Sequence, residues 1–199
     1  MNTYRKNAII VGVLFIIATV TNMLGNLSIK PLLDATDYLV QISANENLMI
    51  IALLLVLISA FASASIAIWL YPILKKHHEA LALGSVGFRL MEGMLYIVGV
   101  VALLSLLTLS KEYVTAAPSN TSLYQISGNL LQTVKTWAGQ LGVLAFTVGG
   151  MMYYYVFYQS KLVPRWLSGW GFLGLALTLA SALLAIFGVL IPLSPVFIV

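Results

Sequence analysis

Five stretches of this sequence are long and apolar enough to cross a lipid bilayer, and they limit what the chain can fold into. A hydrocarbon core needs about 20 apolar residues in a helix, because lipid offers no hydrogen-bond partner to an open backbone. Of the 199 residues, 61% are hydrophobic and 8% are charged, whereas soluble domains are about one quarter charged. We therefore predict one integral membrane domain over residues 1–199, an all-α, polytopic transmembrane helical bundle. The predicted spans cover about 7–27, 47–74, 82–109, 130–158 and 167–191.

Both ends of the chain bear on the predicted number of membrane spans. The first span follows Arg5 and Lys6, as in a signal peptide, but it exceeds the roughly 7–15 residues of a signal-peptide core and no A-x-A site follows. We therefore expect an uncleaved first helix. At the other end, PVFIV at 195–199 is typical of the beginning of a sixth span.

The basic residues between the spans predict the orientation. Three pairs fall on one side of the predicted membrane, and they are Arg5 and Lys6, Lys75 and Lys76, and Lys161 and Arg165. The other side carries lysines beside four acidic residues, with Lys135 placed near the start of the fourth helix; these residues are Lys30, Lys111, Asp34, Asp37, Glu46 and Glu112. Because basic loops remain in the cytoplasm during insertion, the N-terminus is predicted to be cytoplasmic.

The connection between the first two spans predicts a short helix over Pro31–Ile42 that lies along the membrane surface. Pro31 suits a first helical turn, and the acidic residues fall on one side of the helix with the leucines on the other. Ser43 and Glu46 have the spacing of a capping box before the second span. The other connection on this side, around AAPSNTS, has turn chemistry, and its Asn120-Thr121-Ser122 sequon is too short to be specific.

Arg89 and Glu92 are, apart from Tyr96, the only ionisable residues between Ala80 and Leu109. They are three residues apart, so they share a helix face and can pair. Two interpretations stay open: a neutral pair that holds the third span against its neighbours, or a polar cavity that binds a ligand or relays protons. A cavity that reaches Glu92 would favour transport or catalysis, and a dry pair would favour an accessory role.

Aromatic residues of the fourth span lie at the predicted depth of Arg89, because the third and fourth spans are antiparallel. Their hydroxyls are candidates to hydrogen-bond the guanidinium, and the alternative is an interfacial aromatic belt with Trp170. The candidate supporting residues are Tyr154 and Tyr158 of this span, with Tyr96 of the third span, which continues the face of Arg89 and Glu92. A candidate cytoplasmic loop follows, with Lys161, Pro164, Arg165 and Trp166.

Several function classes are excluded by composition. The chain has no cysteine and two adjacent histidines, His77 and His78, which are too few ligands for zinc chemistry, so no metal or cofactor is predicted. The basic residues are spread over short loops rather than one soluble face, which argues against nucleic acid. There is no Gly-x-Ser-x-Gly elbow and no histidine inside a span, so no recognisable catalytic constellation is present.

Three phrases together carry a resemblance to a known family. They are YPILKKHHEALALGSVGFRLMEG at 71–93, LLTLS at 106–110 and YYYVFYQSKLVPRWLSGWGFLG at 153–174. Their order and spacing resemble the uncharacterised bacterial membrane proteins grouped as domain of unknown function 4386, from the N-terminus to the end of the chain. The resemblance implies a multi-pass protein of the bacterial cytoplasmic membrane, with one more helix usual in the family, and it supplies no activity.

The leading hypothesis is therefore binding or transport of a small or amphipathic molecule, of unidentified structure, through a polar site at Arg89 and Glu92. One alternative is a non-catalytic accessory subunit of a membrane complex. Another, less favoured, is an intramembrane enzyme that uses Glu92 as acid or base. The expected partners are the lipid bilayer and either a second copy of the chain or another membrane protein.

Overall fold

The computed structural model describes residues 3–115 and 121–188, and within these ranges the chain is all-helical, which confirms the predicted fold class. Its helices are α1 (Thr3–Leu33), α2 (Tyr38–Ala44), α3 (Glu46–Leu74), α4 (Glu79–Thr115), α5 (Thr121–Ser160) and α6 (Arg165–Ile186). All except α2 are long and apolar enough to cross a membrane. The expected start of a sixth span at 195–199, the end of the fifth predicted span and the sequon's Asn120 lie outside the described residues.

The helices are longer than most of the predicted spans, and this changes the position of one charged residue along its helix. α4 has 37 residues and α5 has 40, so they are about 55 and 60 Å long, well beyond a hydrocarbon core of about 30 Å. Their polar ends continue the backbone hydrogen bonding, which a search for apolar runs does not detect. Lys135 was predicted near the start of a helix, and that placement is wrong, because α5 already begins at Thr121.

The spanning helices pack in chain order, each against the next: α1 on α3, α3 on α4, α4 on α5, and α5 on α6. α1 and α6 form the two margins, and most of their apolar side chains point away from the other helices, as expected for helices that face lipid. Small residues let the central helices approach closely. A Cβ built on Gly149 of α5, for example, would lie 3.0 Å from the Cβ of Phe88 on α4.

The short helix α2 closes one end of the bundle. The Ser110 hydroxyl of α4 donates to the Leu39 carbonyl, and the Tyr38 hydroxyl donates to Oδ1 of Asn129 on α5 over 2.9 Å. Burial raises the pKa of Tyr38, so this hydroxyl stays a donor at neutral pH. Lys111 pairs with Glu46 beside it. We call this the outer end, and the opposite end, with Lys75 and Lys161, the inner end.

Two expectations for the chain before α3 are corrected. Pro31 lies in the last turn of α1 and not in the first turn of a surface helix, because α1 continues to Leu33 before the chain turns. The following helix begins only at Tyr38. The capping box does not form: Ser43 lies inside α2, Asn45 precedes α3 without a side-chain cap, and Glu46 is engaged by Lys111.

The orientation stays a prediction and can be tested with two reporter fusions. A reporter that is active only in the cytoplasm should work when fused after Lys76 and fail when fused after Ser119, in the connection at 116–120 outside the described residues. The reason is the concentration of basic residues at the inner end. The reverse pattern of activity would invert the orientation.

Candidate functional site

Arg89 and Glu92 form an ion pair inside the helix bundle. Nη1 of Arg89 donates to Oε2 of Glu92 over 2.8 Å, and the two residues are only 2% and 3% exposed. Counting along α4 from Glu79, the pair lies about 15–20 Å from the inner end, at membrane depth. Burying either charge alone in lipid is costly, and the neighbour one turn away provides the counter-charge.

Side chains from the two flanking helices complete the environment of the pair. The Ser63 hydroxyl of α3 donates to the other carboxylate oxygen of Glu92 over 3.2 Å. On the opposite side, the Arg89 guanidinium lies 4.8 Å from the ring centre of Phe146 on α5, a cation–π contact. Nε of Arg89 is buried and has no hydrogen-bond partner in the described chain. The pair therefore links α3, α4 and α5.

The three tyrosines proposed as supporting residues lie in three different places. Tyr96 continues the face of Arg89 and Glu92, and its ring lies against Gly142 of α5. Tyr154 packs between α5 and α6, where its ring lies against Gly171. The Tyr158 ring is half exposed at the inner end of α5. The structure thus places only Tyr96 on the same face of α4 as the ion pair.

The loop between α5 and α6 makes a compact turn at the inner end. Lys161 adopts a left-handed backbone with φ of 56°, and the Pro164 carbonyl accepts the amide of Ser168 at the start of α6. The Arg165 guanidinium lies 5.5 Å from the ring centre of Tyr158, and Trp166 is 74% exposed. These contacts order the loop at the level where aromatic and basic side chains meet lipid headgroups.

A polar cavity of about 550 Å³ lies in the other half of the bundle, and its lining does not include Arg89 or Glu92. It lies between α1 and α5, with α3 and α4 behind it. Its polar lining residues are Asn22, Asn26, Lys30, Asp34, Tyr96, Gln132, Lys135, Thr136 and Gln140. Tyr96 is therefore the one predicted site residue that lines this cavity.

The polar residues of the cavity follow helical spacing, which is the signal that the sequence analysis missed. On α5, Gln132, Thr136 and Gln140 recur every four residues, and Lys135 follows Gln132 by three, so the four share one face of the helix. Asn22 and Asn26 do the same on α1, where the two amides hydrogen-bond to each other over 2.9 Å. Each face is unusual in an otherwise apolar helix. Read together, they indicate a shared polar lining, in which Asn26 and Thr136 are exposed.

Lys135 lies at membrane depth in this cavity. A Cβ built on Gly99 of α4 would lie 3.8 Å from Cγ of Lys135, so the lysine stem crosses α4 at this level. Gly99 is about 30 Å along α4 from Glu79 and about 18 Å from Lys111. Across 3–115 and 121–188, no carboxylate lies within 4.0 Å of the Lys135 ammonium and no hydrogen bond engages it.

The Arg89–Glu92 pair predicts an asymmetry between single and double variants. Glu92→Gln leaves a buried guanidinium without its counter-charge and should lower the free energy of unfolding by about 3–5 kcal/mol. Arg89→Met with Glu92→Leu leaves no unpaired charge and should be at least as stable as either single variant in thermal unfolding in detergent. The control is Glu46→Gln in the exposed pair with Lys111, where a loss below about 1 kcal/mol is expected. A Glu92→Gln protein as stable as the parent would contradict this account.

Comparison with known proteins bears on the family of the chain. A family model described as Domain of unknown function (DUF4386) matches residues 10–199, nearly the whole chain. No curated protein and no solved structure matches the chain. The match confirms the resemblance carried by the phrases at 71–93, 106–110 and 153–174. The chain is a multi-pass membrane protein that belongs to the family of domain of unknown function 4386.

Proposed function

We propose that this protein binds a small amphipathic molecule in the cavity between α1 and α5. The observation that carries the proposal is the pair of polar helix faces that face one another at membrane depth. Polar side chains inside a membrane domain are costly unless they face other protein groups, water or a ligand. The volume of about 550 Å³ is within the range of roughly 300–1,000 Å³ typical of small-molecule sites.

The composition of the lining favours an amphipathic ligand over a purely polar one. The walls contributed by α3 and α4 are mostly apolar, with Leu53, Val56, Leu95, Val100 and Leu103. The polar groups come mainly from α1 and α5. A molecule with one polar and one apolar part would match both surfaces, and it would reach the cavity from the surrounding bilayer or from the outer end.

The Arg89–Glu92 pair has a structural role in this proposal. Both side chains are almost fully buried, and the groups around them are Ser63 and Phe146 rather than a cavity lining. That burial favours the interpretation as a pair that holds the helices together. The pair lies about 10 Å closer to the inner end than Gly99, so transport to that side would require this contact between helices to open.

Cysteine labelling tests the proposal, because the natural chain has no cysteine. Gly139 lines the cavity, and a Cβ built on it meets nothing within 4 Å, so Gly139→Cys should fit without strain. In phosphatidylcholine nanodiscs it should react readily with a neutral, water-soluble maleimide, because a thiol ionises in water and not in lipid. Micromolar decanol or decyl sulfate should slow this labelling by occupying the cavity.

Leu141→Cys is the matched control, two residues along the same helix and 47% exposed on its lipid-facing side. It should label slowly, and neither amphiphile should change its rate. If Cys at position 139 labels no faster than Cys at 141, the cavity does not hold water and the proposal is wrong. If it labels readily but neither amphiphile protects it, the cavity is polar but does not bind such molecules, which also refutes the proposal.

A further inference from the structure

Lys135 is the least exposed charged residue of the cavity lining. Its ammonium has no ion pair or hydrogen bond in the part of the chain that the structure describes, although it lies at membrane depth. Arg89, the other cation at membrane depth on the central helices, has Glu92 beside it. Asp34 is the carboxylate whose field reaches Lys135, and Asp34 itself is exposed at the outer end. The structure thus pairs the buried cation Arg89 and leaves Lys135, which is partly exposed in the cavity, without a protein partner in the described chain.

Further hydrogen-bonding groups surround the same space. The hydroxyl of Tyr96 has no partner among the described residues, and the amide groups of Gln132 and Gln140 line the cavity on either side of Lys135 along α5. Oε1 of Gln140 is buried and unpartnered in the described chain. Lys30 and Asp34 also line the cavity but are exposed, so Lys135 is the least exposed charge of the lining.

We propose that the cavity selects amphiphiles with a single anionic head, and that Lys135 is the residue that binds this head. The inference rests on the proposed function and specifies its ligand. One negative charge would neutralise the Lys135 ammonium, and the amides and the Tyr96 hydroxyl would donate to the remaining oxygens. The tail would lie along the apolar residues of α3 and α4. A free anionic amphiphile and an anionic phospholipid share this chemistry.

The experiment compares a charged and a neutral amphiphile of equal chain length. In the Gly139→Cys protein, the concentration of decyl sulfate that halves the labelling rate is measured, and then that of decanol. Adding Lys135→Met should raise the half-protecting concentration of decyl sulfate roughly 10- to 100-fold, the usual effect of losing a hydrogen bond to a charged group. The half-protecting concentration of decanol should change by less than about twofold. Lys135→Arg should retain the preference for decyl sulfate.

Two controls and one further arm complete the design. Lys111→Met removes a lysine charge outside the cavity and should leave the half-protecting concentrations of decyl sulfate and decanol unchanged. The labelling rate of each variant without amphiphile shows whether its cavity is intact. Nanodiscs that contain phosphatidylglycerol distinguish a free anionic amphiphile from an anionic phospholipid as the ligand. Slower labelling in these nanodiscs without added amphiphile would identify the phospholipid. If decyl sulfate and decanol protect equally, or Lys135→Met weakens both alike, charge selection is refuted while the proposed function stands. If neither protects and phosphatidylglycerol has no effect, the proposed function itself fails.

Discussion

Lipid neither hydrogen-bonds nor solvates a charge, and the polar groups at membrane depth in this protein are arranged around that constraint. Arg89 and Glu92 meet it locally, one turn apart on α4, with Ser63 and Phe146 closing the pair from α3 and α5. Because these partners come from three helices, satisfying the charges also fixes the packing of the central bundle. Lys135 meets the same constraint differently, by facing a cavity. The first arrangement stabilises a fold, and the second is suited to a ligand.

The two halves of the bundle divide these roles along the membrane normal. Toward the inner end, Gly149 allows close contact of α4 and α5, and the ion pair is almost fully buried. Toward the outer end, α1 and α5 both line the polar cavity, and α2 contacts α4 and α5 through Leu39 and Tyr38. Tyr96 lies between the two regions. It lines the cavity and continues the helix face of the ion pair, so a movement of α4 would change both the cavity and the surroundings of the pair.

Sequence reasoning predicted the features that depend on local spacing. The spans follow from apolar runs, and the Arg89–Glu92 contact follows from positions three apart on a helix. It missed Phe146 and the hydrogen bond of Ser63, because such contacts depend on how distant helices pack. It placed Lys135 near the start of the fourth helix, since the polar first turns of α5 hide where that helix begins. The three- and four-residue spacing of polar residues along α5 was available and would have indicated the cavity.

The central claim is that Lys135 serves a ligand at the expense of stability. The most direct test is thermal unfolding of the parent and Lys135→Met proteins in a neutral detergent, with and without decyl sulfate. A charge held in a partly enclosed cavity loses part of its hydration, so without ligand the variant should melt higher, by about 2 °C or more. Decyl sulfate should then raise the melting temperature of the parent and not that of the variant. A variant that melts lower than the parent, with equal stabilisation of both by decyl sulfate, would show that Lys135 is structural and contradict this account.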